Sequence, residues 1–178
     1  MRAESLDHIL FFHAAQSDPL LRDTVVEFLY PRNQRGRNEV IIDDLQRQLM
    51  EWVKEKKTTA EWSEPTARRV AQGLLSTLRD FGVLKGAVKK SIAPVYLTIK
   101  AFSYIAFVQS KLQSSGHKVL NDPIWKLFFM STDGVERFFF EAHQHGLLEY
   151  YAAGNVIRIE FPAPTLPEYA NVIVERSA

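Results

Sequence analysis

Arg68, Arg69, Gln72 and Arg79 recur at spacings that place them on one side of a helix, with Ser76 among them. An arginine guanidinium binds guanine through two parallel hydrogen bonds, and a glutamine amide does the same with adenine. Just downstream, Lys85, Lys89 and Lys90 flank Gly86 in a short glycine turn. Lysines on such a turn suit phosphate oxygens, which give salt-dependent affinity with little sequence information. A third basic set, Arg32, Arg35 and Arg37, falls in a segment rich in turn formers, Pro31 to Asn38, read as a loop that reaches a phosphate backbone. Helix, turn and loop together carry the chemistry of a double-stranded DNA reader. The bland alternative is that all three are solvated faces.

Other chemistries find less support. His8 and His13 are five residues apart and His143 and His145 two apart, so neither pair shares a helical face well enough to hold zinc. There is no cysteine, hence no disulfide or thiolate metal site. Gly82, Gly86 and Gly154 stand singly, as stops and turns, and do not form a phosphate-cradling loop. Ser114-Ser115-Gly116-His117 lacks the strand-turn-helix context of a nucleophile. The expectation is a protein that is not an enzyme, with no catalytic residues, metal, cofactor or small-molecule substrate. Phe138, Phe139 and Phe140 suit core and interface, and three consecutive helix positions leave at least one ring exposed.

The elements that must position the basic residues are mainly helical. Ser5 opens a first helix to about Ala15, and Ser17 or Asp18 with Pro19 opens a second that ends near Tyr30-Pro31. Asp43 or Asp44 starts a third, with Leu45, Leu49, Trp52 and Val53 on one side. Ser63 caps the fourth, with Pro65 in its first turn and Val70, Leu74, Leu78 and Phe81 toward the core. That helix stops at Gly82, and Val83 to Pro94 reads as two short strands around Gly86.

The same layout then recurs. Thr98 caps a helix to about Ser114, stopped by Gly116; Asn121 or Asp122 with Pro123 opens a short helix, Ile124 to Met130; Ser131, Thr132 or Asp133 caps another that ends at Gly146. Leu147 to Tyr151 and Asn155 to Phe161 flank a hairpin turn at Ala152-Ala153-Gly154. A helix closed by glycine and followed by a hairpin, used twice, predicts two winged helix-turn-helix-like modules. Their bounds are 1–97, which includes the N-terminal helices, and 98–178, which includes a C-terminal tail, packed as one compact unit.

Charge separates the copies. The net charge of +1 resolves into −3 over residues 1 to 53, +6 over 54 to 100 and −2 over 101 to 178. The basic block coincides with the first helix and hairpin, which points to a polyanion-binding face. The second copy, with Glu136, Glu141, Glu149 and Glu160 against Arg137 and Arg158, is better suited to packing or to a protein partner. Ile99 to Val108 contains Lys100 and falls short of the roughly 20 apolar residues of a membrane span. With no signal-peptide pattern at the N-terminus, a soluble cytoplasmic protein without membrane association is expected.

Trp62 to Ala71, Leu78-Arg79-Asp80-Phe81-Gly82-Val83-Leu84-Lys85-Gly86, Trp125-Lys126-Leu127-Phe128, and Gly146 to Tyr150 with Gly154 to Arg158 resemble the BrxA family of bacteriophage exclusion (BREX) loci. The similarity covers most of the chain from Asp18 to Ala170 and rests on hydrophobic and turn positions, without a catalytic signature. It implies a mainly helical protein of winged-helix character that binds DNA in bacterial phage defence, beside other BREX proteins. The alternative is an adaptor that holds other proteins of the defence complex, through Phe138 to Phe140 or the C-terminal tail, without touching DNA.

Overall fold

The computed structural model describes residues 3–93, 96–154 and 156–176. Pro94, at the end of the first hairpin, and Asn155, at the start of the second hairpin's return strand, lie outside them. The protein is mainly helical with two small antiparallel sheets. It divides into two units: Ala14–Val95, and Met1–His13 with Tyr96–Ala178. Helix α1 (Ala3–Ser17) begins in the second of these and ends in the first.

In the Ala14–Val95 unit, Asp18 caps α2 (Pro19–Asp23), its Oδ1 accepting from the amides of Leu20 at 2.9 Å and Leu21 at 3.1 Å. The chain does not stop at Tyr30-Pro31. It passes through a π-helical turn, Thr24–Leu29, into α3 (Tyr30–Gln34). Proline inside a helix lacks an amide donor and crowds the carbonyl of the preceding turn, and the widened turn just before Pro31 makes room for it. Helix α4 (Ile42–Lys54) has no side-chain cap but carries Asp43 and Asp44 in its first turn, where the helix dipole favours negative charge.

Helix α5 (Glu64–Asp80) packs on α4, and its buried line is Ala67, Ala71, Leu74, Leu75 and Leu78. Val70 and Phe81, expected in the core, are only half-buried. The small side chains at 67 and 71 let the two helices approach closely and rotate the core-facing stripe toward them. Glycine closure is seen where expected: Gly82 has φ +74, and the amides of Gly82 and Val83 bond back to Arg79 and Leu78 at 2.9 Å each.

Strands β1 (Glu39–Val40), β2 (Leu84–Lys85) and β3 (Lys90–Ile92) form a sheet of order β1-β3-β2, with Leu84 opposite Ile92, Lys85 opposite Ser91 and Val40 opposite Lys90. Val40, Leu84 and Ile92 turn inward and are buried. The hairpin is the one the sequence predicts, and β1, followed by the β-branched Ile41 and Ile42, adds a third strand to it.

In the other unit, Ser5 sits inside α1, not at its cap. Its buried hydroxyl is 2.9 Å from that of Thr98. Thr98 caps α6 (Ile99–Leu112), which ends at extended Gln113, before Gly116. Gly116 opens α7 (Gly116–Leu120) under a Ser115 cap, and a Cβ there would lie 2.5 Å from the Ile157 carbonyl oxygen. The glycine is needed for close approach of helix to strand, not as a stop. A 3-10 turn (Pro123–Phe128) follows Asp122, then α8 (Thr132–Gln144) under Ser131, β4 (Glu149–Ala153) and β5 (Val156–Glu160).

The C-terminal tail is a helix, α9 (Leu166–Glu175), which buries Tyr169 and Ile173 one turn apart and packs on α6. Phe102 stands at the centre of the aromatic core, 4.8 Å from Trp125, 4.9 Å from Phe139 and 5.1 Å from Phe138 between ring centroids. Phe140 is the ring left exposed. Among the described residues, no helix is long and apolar enough to cross a membrane.

Candidate nucleic-acid interface

The ten basic and amide residues singled out by the sequence all belong to the Ala14–Val95 unit, but they do not form one set. On α5, Arg68, Arg69, Gln72 and Arg79 are exposed along one face. Two of them are already engaged. Arg68 donates from Nη1 to Asp43 Oδ1 at 2.7 Å and to Gln46 Oε1 at 3.1 Å, both on α4. Gln46 also donates from Nε2 to the Glu64 carbonyl at 3.3 Å, so one amide ties both the arginine and the first turn of α5 to α4. Arg79 bonds Asp80 at 3.0 Å and Ser76 at 3.2 Å. The side chains of Arg69 and Gln72 make no hydrogen bond or ion pair among the described residues.

The hairpin turn brings lysines to the same side. Gly86 has φ +94, and a Cβ there would lie 2.0 Å from the Lys89 carbonyl oxygen, so only glycine closes this turn. Lys90 donates to the Ala87 carbonyl at 2.9 Å and braces the turn, while Lys85 and Lys89 extend into solvent. An open groove of about 450 Å³ is lined by Gln72, Leu75 and Ser76 of α5, by Val88, Lys89 and Lys90 of the hairpin, and by Glu39 to Ile42. Helix and hairpin thus meet in one groove.

The loop arginines line a different depression. Arg32 and Arg35 border it with Asp44, Arg47, Glu27 and Glu51. Arg32 is helical, pairs with Asp44 at 2.9 Å and lies 5.0 Å above the Phe28 ring, and Asp44 also pairs with Arg47. The segment from Pro31 is therefore not loop throughout: it is helix to Gln34, and only Arg35 and Arg37 extend freely. Lys57, at the end of the basic run after α4, bonds Glu27 at 3.1 Å and Glu55 at 3.2 Å. Those hydrogen bonds, Glu27's first, raise its pKa and hold it charged.

Three features of this surface escape the sequence. Asp43 and Gln46 are the partners of Arg68, which only the packing of α4 on α5 reveals. Glu39 and Ile41 reach the groove because β1 pairs with β3. Val88, 95% exposed, marks the tip of the hairpin turn, a place its position between Gly86 and Lys89 could have suggested. No group of three or more histidine or acidic side chains among the described residues is placed to hold a metal ion.

A family model described as BrxA matches residues 1–109, and the chain belongs to the BrxA family. No curated protein and no solved structure matches it.

Proposed function

From its membership of the BrxA family of BREX phage-defence systems, we propose that this chain is a non-enzymatic, cytoplasmic double-stranded DNA-binding protein that acts in phage defence. One observation supports the reading: Gln72 and Ser76 of α5 and Lys89 and Lys90 of the β2–β3 turn border a single groove, with Arg68, Arg69, Arg79 and Lys85 outside its lining. The element order β1, α4, α5, β2, β3 with sheet order β1-β3-β2 supports reading this unit as a winged helix-turn-helix, with α5 taken as the recognition helix and the β2–β3 turn as the wing. In that reading α5 enters the major groove, Arg69 and Gln72 face base edges, and Lys85 and Lys89 contact phosphates. Arg35 and Arg37 supply outlying phosphate contacts.

The test is binding of the purified protein to a random-sequence duplex across a salt series. Affinity should fall steeply with salt and be lost in the Arg68/Arg69/Lys89/Lys90 quadruple alanine variant, provided the variant keeps its thermal transition. Absence of binding at low salt would favour the adaptor reading. That reading draws on the other unit, where Phe140, Tyr151 and Val156 are exposed and Glu149 stands directly opposite Glu160, a surface suited to another BREX protein.

A further inference from the structure

We propose that the groove between α5 and the β2–β3 turn prefers A·T base pairs, Gln72 taking the adenine and the exposed Val88 and Ile41 side chains packing on the thymine methyl group. The inference rests on the DNA-binding reading and adds the base preference to it. Gln72 is exposed and lines the groove, and its side chain has no hydrogen-bond partner among the described residues, so its amide is available as a donor and acceptor pair. Adenine offers the matching pattern in the major groove, an N7 acceptor beside an N6 donor. The groove is also lined by apolar side chains left in contact with water: Val88 is 95% exposed and Ile41 47%. Thymine is the base that presents a methyl group in the major groove, and it is paired to adenine.

Glu39 helps to choose between base and backbone as the ligand. Its carboxylate stands on the same wall, where it would repel a phosphate oxygen. A mixed lining of one amide, one hydroxyl, one carboxylate, five apolar residues and two lysines matches base edges better than the sugar-phosphate chain. Lys89, at the rim, serves the adjacent phosphate.

The probe is a pair of duplexes of equal length, one composed of A·T pairs and one of G·C pairs, titrated with the full chain at fixed salt. The expected result is tighter binding to the A·T duplex by roughly fivefold to a hundredfold, the range of one good bidentate contact. Gln72→Ala should remove most of that preference and leave the salt slope unchanged. Replacing every thymine by uracil, which deletes only the methyl group, should weaken the wild-type protein and have little effect on the Ile41→Ala/Val88→Ala variant. Equal wild-type affinity for both duplexes would overturn the base preference while leaving DNA binding intact. Binding to neither duplex would overturn both.

Discussion

Arg68 Nη1 lies 2.7 Å from Asp43 Oδ1, so the most N-terminal arginine of the α5 face is tied to the helix before it. Both side chains are about half exposed, and an exposed pair of this kind contributes only about 0.2–1 kcal/mol. Its larger consequence is competition, since a phosphate must displace the Asp43 carboxylate to reach the guanidinium. Asp43→Asn should raise affinity for random-sequence DNA severalfold, with a stability loss below about 1 kcal/mol. Titration of both proteins at one salt concentration checks this; unchanged or weaker binding would mean that Arg68 serves helix packing alone.

Arg69 lacks the intramolecular partners of Arg68 and Arg79. Arg69→Ala should therefore weaken DNA binding more than Arg79→Ala does. The comparison is made at equal salt, and the reverse order would remove α5's middle turns from the interface.

Within the hairpin the lysines should differ. Lys89→Ala should reduce the slope of log affinity against log salt by about one, the value for one lost phosphate contact. Lys90→Ala should change the slope less, because that ammonium is bonded to the Ala87 carbonyl and braces the turn. Equal slope changes would show that Lys90 leaves its intramolecular bond on binding.

Gly86 tests the hairpin itself. With φ +94 and a Cβ position 2.0 Å from the Lys89 carbonyl, Gly86→Ala forces the turn open. Backbone strain of this type costs about 1–3 kcal/mol, so the thermal midpoint should fall and DNA affinity with it. A variant as stable as the parent would mean that the turn readily adopts another conformation.

His8 should make stability depend on mild acid. Its burial, with Nδ1 unbonded and its ring edge-on to Phe128 at 6.0 Å, lowers its pKa and outweighs the opposing pull of Asp7 and Glu4. A depressed folded-state pKa means that the contribution to stability is complete above the ordinary histidine value of about 6.5 and is lost as pH falls through the lower folded value. Denaturant unfolding should show declining stability below that point, and His8→Leu should flatten the decline. An unchanged slope would assign it to other groups.

Local signals were legible wherever one side chain or one turn decides the backbone. Asp18, Thr98, Ser131 and Gly82 begin or end helices because a cap or a left-handed residue acts within a few residues of itself. The β2–β3 hairpin was legible for the same reason, and so was the basic character of α5 and its turn. Helix α9 was missed because its buried face is only Tyr169 and Ile173 behind a proline-rich lead, too few apolar positions to mark a period. Pro31 misled because the rule that proline ends a helix gives way when a wide turn precedes it.

Residue types and spacing alone thus determined the helical class, the helix-then-hairpin order and the concentration of positive charge between residues 54 and 100, while the family was carried by a resemblance over hydrophobic and turn positions. Tertiary structure decided which of those charges are free. Asp43 meets Arg68, and Asp44 meets Arg32, only because α4 packs against α5 and lies near α3; Glu39 and Ile41 enter the groove only because β1 pairs with β3. The grouping of Met1–His13 with Tyr96–Ala178 is of the same kind. Caps and turns act over a few residues and leave their mark in sequence, whereas ion pairs and strand partners join positions far apart in the chain and are selected by packing.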